Sequence, residues 1–123
     1  MSTIELDRTQ GDDMALTLYG LKNCDTCKKA MKALEAAGKS YDFVDIRAEA
    51  KLEDLVPGWL AKAGADVLVN RRSTTWRTLS EAEREGAPEG LLISNPTLVK
   101  RPVIVSGADV HVGWTKQVQS ELL

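Results

Sequence analysis

The feature that most constrains the fold is the stretch from Ala15 to Ile46, where a short apolar run, two cysteines, an amphipathic pattern and a second apolar run follow one another. "ALTLYG", Ala15–Gly20, is rich in strand-favouring residues and ends in glycine, the pattern of a buried strand. From Asp25 the texture changes. Cys27, Ala30, Met31, Leu34 and Ala37 recur at spacings of three and four, while Lys28, Lys29, Lys32 and Glu35 take the other face and Gly38 supplies a stop. That spacing predicts an amphipathic helix. "YDFVDI", Tyr41–Ile46, alternates polar with apolar residues and predicts a second strand. A strand, a helix and a strand over about 30 residues make a βαβ unit, so the two strands are expected to be parallel with a right-handed crossover.

The rest of the chain is read more coarsely. "LEDLVPGWLAKAGADVLVN" places Leu52, Leu55, Trp59 and Leu60 at helical spacing, and Pro57 suggests that the regular helix begins close to it. "RRSTTWRTL" is followed by an acidic turn, "SEAEREGAPEG", and by a short helix, "LLISNPTLV", closed at or soon after Pro96. "RPVIVSG" and "DVHVGW" are split by Gly107 and Ala108 and predict a β-hairpin, and "TKQVQSELL" a last amphipathic helix. Residues 1–14 are polar with Gly11-Asp12-Asp13 breaking any pattern, and are expected to form a mobile extension. The order β-α-β, helices, β-β-α is that of a small sheet with helices packed on it.

A chain of 123 residues, 43% hydrophobic and 28% charged, has the size of one domain around a single core. Its net charge of −2 argues against broad nucleic-acid binding, which depends on Lys and Arg neutralising phosphates. No apolar run approaches the ~18 residues of a membrane span, and the acidic N-terminus does not read as a signal peptide. A soluble cytoplasmic protein is expected. That compartment keeps most thiols reduced, so the C-x-x-C spacing of Cys24 and Cys27 points to chemistry or to a metal rather than to a structural bridge.

A structural zinc site needs about four ligands, and the chain offers two cysteines and a single histidine, His111, far away in sequence. No metal is therefore expected. Cys24 falls at the start of the predicted helix, where unpaired N–H groups and the positive dipole end stabilise a thiolate. Cys27 lies one turn further on the same face, within disulfide reach. Cys24 is the candidate nucleophile. Cys27 is either a resolving thiol or a small apolar core residue.

Beyond this point the residues resemble a known family. "LYGLKNCDTCKKA" is similar to the active-site segment of the arsenate reductase (ArsC)/Spx family, a thioredoxin-like branch with a helical insert. "LVNRRSTTWRTL", "LVKRPVIV" and "VHVGWTKQ" resemble, in order and spacing, its arginine-bearing turn, the Arg-Pro that begins the third strand, and the fourth strand with its Gly-aromatic exit. "TTWR" brings the chain nearest to the YffB-like subgroup, described as glutathione-dependent thiol reductases. The resemblance implies an α/β, thioredoxin-like four-stranded mixed sheet over 15–123, βαβ then ββα, with the insert at about 50–97. It implies that Arg72 and Arg101 converge on Cys24, that Asn23 and Arg77 help to bind substrate, and that Pro102 adopts a cis peptide. Guanidinium groups there would stabilise a thiolate and hold an oxyanion or a carboxylate.

It implies no bound cofactor, glutathione as co-substrate, a small thiol or oxyanion substrate, and glutaredoxin as a possible electron donor. Two alternatives stay open. One is an Spx-like redox-sensing regulator that binds RNA polymerase, although the Spx resemblance weakens around Trp76-Arg77 and at the C-terminus. The other is an arsenate reductase. Those enzymes carry a third arginine, whose place here is about Gly113, and no arginine follows Arg101. Arg71 reads as a solvated surface charge, and Trp76 and Trp114 as core residues or as walls of a substrate groove.

Overall fold

The computed structural model describes residues 16–123, and the extension expected over 1–14 lies outside the described residues. Strands β1 (Leu16–Gly20), β2 (Tyr41–Asp45), β3 (Val103–Ser106) and β4 (Asp109–Val112) form one four-stranded sheet in the order β2-β1-β3-β4. β1 and β2 run parallel with Leu18 opposite Phe43, and β3 is antiparallel to both β1 and β4. This is the thioredoxin-like mixed sheet. The period-2 rule then sorts the side chains: Leu16, Leu18 and Ile104 point to one face, Val103, Val105 and Tyr19 to the other.

The first face is covered by α1 (Asp25–Ala36) and α7 (Lys116–Leu122), which contribute Ala30, Leu34, Val118 and Leu122 to a core with Leu16, Leu18 and Ile104. α1 ends as its glycine predicts. Gly38, at φ +75°, lets the Lys39 N–H reach the Leu34 carbonyl at 2.9 Å and its own N–H reach that of Glu35 at 3.1 Å, the Schellman arrangement. The opposite face carries α2 (Leu52–Ala63), α3 (Ala65–Leu68), α4 (Thr74–Thr78), α5 (Glu81–Arg84), α6 (Pro88–Ser94) and a 3-10 turn at Pro96–Leu98. Leu52, Val56, Trp59, Leu68, Leu92 and Leu98 fill the second core against Val103 and Val112. Tyr19 meets Trp59 edge-on, ring centres 5.0 Å apart.

Two local expectations are corrected. The regular helix does not begin near Pro57: it begins at Leu52, with Pro57 inside. Pro57 is exposed, so water can satisfy the carbonyl that its missing N–H leaves free, while Leu52, Val56 and Trp59 on the buried side hold the turn before it. The acidic turn after Leu79 likewise contains a helix. Ser80 and Glu83 close a reciprocal capping box, with bonds of 2.8 and 3.1 Å, at the start of α5.

Candidate redox active site

Everything at the cysteines follows from the turn between β1 and α1. The Cys24 N–H bonds the Leu21 carbonyl at 3.1 Å, which closes the loop Leu21–Cys24 and sets Cys24 as the N-cap of α1 in extended conformation, φ −90°, ψ 123°. As a neutral thiol, a poor acceptor, it makes no cap hydrogen bond. As a thiolate it gains much more. Partial burial pushes its pKa up, but the Cys27 N–H, the Cys27 thiol and the Arg101 guanidinium all favour the anion, and the net direction is down.

Cys27 behaves in the opposite way. It is fully buried in the first turn of α1, and that burial, with the Cys24 sulfur beside it, pushes its pKa up to about 12 despite an N–H bond from Leu21. The space for its sulfur is supplied by Gly20. A Cβ at that position would sit 2.5 Å from the Cys27 Sγ, closer than real packing permits. Gly20→Ala is therefore expected to destabilise the fold by about 1–3 kcal/mol, and most of the loss should return in the double variant with Cys27→Ala. A urea-unfolding cycle measures it, and additive effects of the two changes would contradict the contact.

Arg101 is the guanidinium that reaches Cys24. Its Nη1 donates to the Thr97 carbonyl at 3.0 Å, and its Nε is buried with no hydrogen-bond partner among the described residues. Thr97 is in turn tied to α4 by a 2.6 Å hydroxyl bond to Thr75. The Arg101-Pro102 peptide is cis, and Pro102, fully buried, accepts the Gly113 N–H at 2.8 Å. A two-bond bridge between Val69 and Val99 lays the arginine-bearing turn beside the segment leading to Arg101: Asn70 N–H to Leu98 carbonyl, 2.9 Å, and Lys100 N–H to Leu68 carbonyl, 2.8 Å.

Arg72, expected at the sulfur, is exposed and is not among the groups that stabilise Cys24. Its N–H bonds the Asn70 side chain at 3.1 Å, and its carbonyl accepts from Arg77, also exposed, at 3.4 Å. Arg71 and Arg84 flank the Trp76 ring at 5.6 and 5.5 Å, and Trp76 itself is half-buried against the second core. Trp114 is half-buried against the first core. Asn23 is exposed and lines a cavity of about 510 Å³ with Leu21, Lys22, Asp45, Arg47 and Ala48. Gly113 has φ +82°, a conformation that side chains other than glycine's rarely accept, so an arginine would be strained there. His111 pairs with Glu121 at 3.0 Å.

Sequence reasoning missed Gly20, Thr97 and Thr75, because each acts by giving space or a hydrogen bond to a residue distant in sequence. Only the "TTWR" of the resemblance pointed toward Thr75.

A helix-capping thiol facing a guanidinium on a thioredoxin-like sheet defines a thiol-redox class of protein. Residues 19–121 match the ArsC family, and the chain belongs to it. A protein from Haemophilus influenzae described as uncharacterized is 37% identical over 106 residues, 83% of this chain and 93% of that one. The solved structure of a YffB protein superposes with a TM-score of 0.81 at 33% identity, over 88% of this chain and 98% of that one. The global transcriptional regulator Spx of Listeria innocua is 28% identical over 107 residues, 82% of this chain and 81% of that one. Among the described residues no helix is long and apolar enough to cross a membrane.

Proposed function

We propose that the protein is a glutathione-dependent thiol reductase in which Cys24 is the nucleophile. The observation that carries this reading is the unequal placement of the two thiols: Cys24 is partly exposed at the N-cap of α1 beside Arg101, and Cys27 is fully buried one turn on, which favours the thiolate at the first and the thiol at the second. The Cys24 thiolate attacks the glutathione sulfur of a mixed disulfide R–S–S–G, forming a Cys24–glutathione disulfide and expelling R–S⁻, which takes a proton. A second glutathione thiolate then attacks the glutathione sulfur of that adduct, releasing oxidised glutathione and the Cys24 thiolate. The incoming glutathione sulfur is oxidised from thiol to disulfide as R–S is reduced from disulfide to thiol, while the first glutathione sulfur stays at the disulfide level throughout, so the electrons balance. Glutaredoxin could take the place of the second glutathione as donor. Cys27, buried beneath Gly20 and protonated at neutral pH, is a weak resolving thiol in this reading. Cys27→Ala is accordingly expected to retain turnover.

Arg101, the guanidinium beside Cys24, holds the developing negative charge. Arsenate reduction is disfavoured by the missing arginine at Gly113. The likeness to Spx supports a second reading, a redox-sensing regulator that binds RNA polymerase through a Cys24–Cys27 switch.

A coupled assay of oxidised glutathione formation from the mixed disulfide of glutathione and 2-mercaptoethanol decides between them. Sustained turnover is expected; no turnover, with redox-dependent capture of RNA polymerase, would replace the enzyme reading with the regulator.

A further inference from the structure

The cavity beside the active-site loop has a charge pattern that the thiol chemistry does not use. Its wall is the loop Leu21-Lys22-Asn23, which runs directly into Cys24, and the turn Asp45–Ala48 that follows β2. That turn fixes its carboxylate: Asp45 Oδ1 accepts the N–H groups of Arg47 and Ala48 at 2.8 and 2.9 Å, and the Asp45 N–H is held by the Glu49 carboxylate at 2.8 Å. Asp45 Oδ2 has no hydrogen-bond partner among the described residues. Lys22, seated over the Phe43 ring at 5.8 Å, and Arg47 both act electrostatically on Asp45. Neither closes an ion pair with it among the described residues. Opposite charges thus stand around an open space of about 510 Å³ without closing ion pairs with one another among the described residues.

A ligand that completes this arrangement carries an ammonium for Asp45 and a carboxylate for Lys22 and Arg47. We propose that the cavity is a recognition site for the zwitterionic amino-acid end of a thiol peptide such as glutathione, which places its sulfur toward Cys24. This rests on the thiol-reductase reading of Cys24. Its volume lies within the roughly 300–1,000 Å³ typical of small-ligand sites. Arginine supplies a planar fork for the carboxylate and lysine a mobile point charge, while Asn23 offers an amide to the peptide groups.

The test uses the full chain and S-methylglutathione, which binds without reacting, so that recognition is read apart from chemistry. Titration followed by amide chemical shifts should place the largest shifts at residues 21–24 and 45–48. N-acetylation of the ligand, which removes the ammonium, should weaken binding about tenfold. Asp45→Asn, which keeps the Oδ1 acceptor and hence the turn, should abolish that discrimination. The double variant Lys22→Gln/Arg47→Gln should weaken both ligands about tenfold or more. Equal affinity of the two ligands for the wild type, undiminished discrimination in Asp45→Asn, no binding at millimolar ligand, or shifts centred elsewhere would each overturn the proposal. Loss of mixed-disulfide turnover with binding intact would instead overturn the reading of Cys24.

Discussion

Replacing Cys24 by serine is expected to abolish mixed-disulfide turnover, a loss on the order of a thousandfold or more, because the hydroxyl stays protonated where the thiol ionises. The fold should survive. Cys24 is the N-cap of α1, partly exposed, and serine is among the preferred residues there, accepting an N–H bond that the neutral thiol does not. The urea midpoint of Cys24→Ser should therefore equal or slightly exceed that of the wild type. The pairing of lost turnover with unchanged stability distinguishes a chemical role from a structural one. Turnover that persists in the serine variant would leave the reading without its nucleophile.

The same asymmetry predicts how the thiols label. At pH 7 iodoacetamide should modify Cys24 and leave Cys27 untouched, since Cys27 is both buried and protonated up to about pH 12. The stability consequences have opposite signs. A lowered Cys24 pKa contributes stability present above the unfolded thiol value of about 8.5 and lost as pH falls through the folded value. A raised Cys27 pKa contributes stability that is present below about 8.5 and lost as pH climbs toward 12. Unfolding midpoints of the wild type should fall in the alkaline range, and Cys27→Ala should fall less steeply.

The βαβ unit and the hairpin were legible in the sequence because each rests on local information: alternation in "YDFVDI", three-and-four spacing from Cys27 to Leu34, and a two-residue turn at Gly107-Ala108 between paired strands. The helix from Leu52 starts earlier than the sequence predicts. Proline propensity pointed to a boundary at Pro57, whereas the apolar face of Leu52, Val56 and Trp59 decides it by packing on a distant sheet. The α5 helix was missed although the Ser80-x-x-Glu83 signature was present, because the charged run around it masked any apolar period. At the site, Cys24 was legible from its place at a helix start. The contribution of Arg101 is implied only by the resemblance, and the roles of Gly20 and Thr97 emerge only from the fold, since neither a missing Cβ nor a carbonyl partner has a sequence signature.

Arg101→Met is the second large effect. It removes the one guanidinium among the described residues that acts on Cys24 while keeping much of the aliphatic stem, but leaves the Cys27 N–H and the helix terminus in place. Loss of that charge should raise the thiol pKa of Cys24, by an amount that its partial exposure to solvent limits. At a pH below both values such a rise cuts the thiolate fraction, while the more basic sulfur becomes more nucleophilic and recovers part of the loss. The net alkylation rate should therefore fall by less than the thiolate fraction does. In the proposed reaction Arg101 also holds negative charge on the substrate, so turnover should fall much further, and that part of the loss is not restored by raising the pH. Two measurements separate these effects: the pH profile of iodoacetamide alkylation, and kcat/KM for the mixed disulfide at a pH above the variant's thiol pKa. A turnover defect that vanishes at high pH would confine Arg101 to tuning the thiol. A defect that persists there would assign it to holding the substrate.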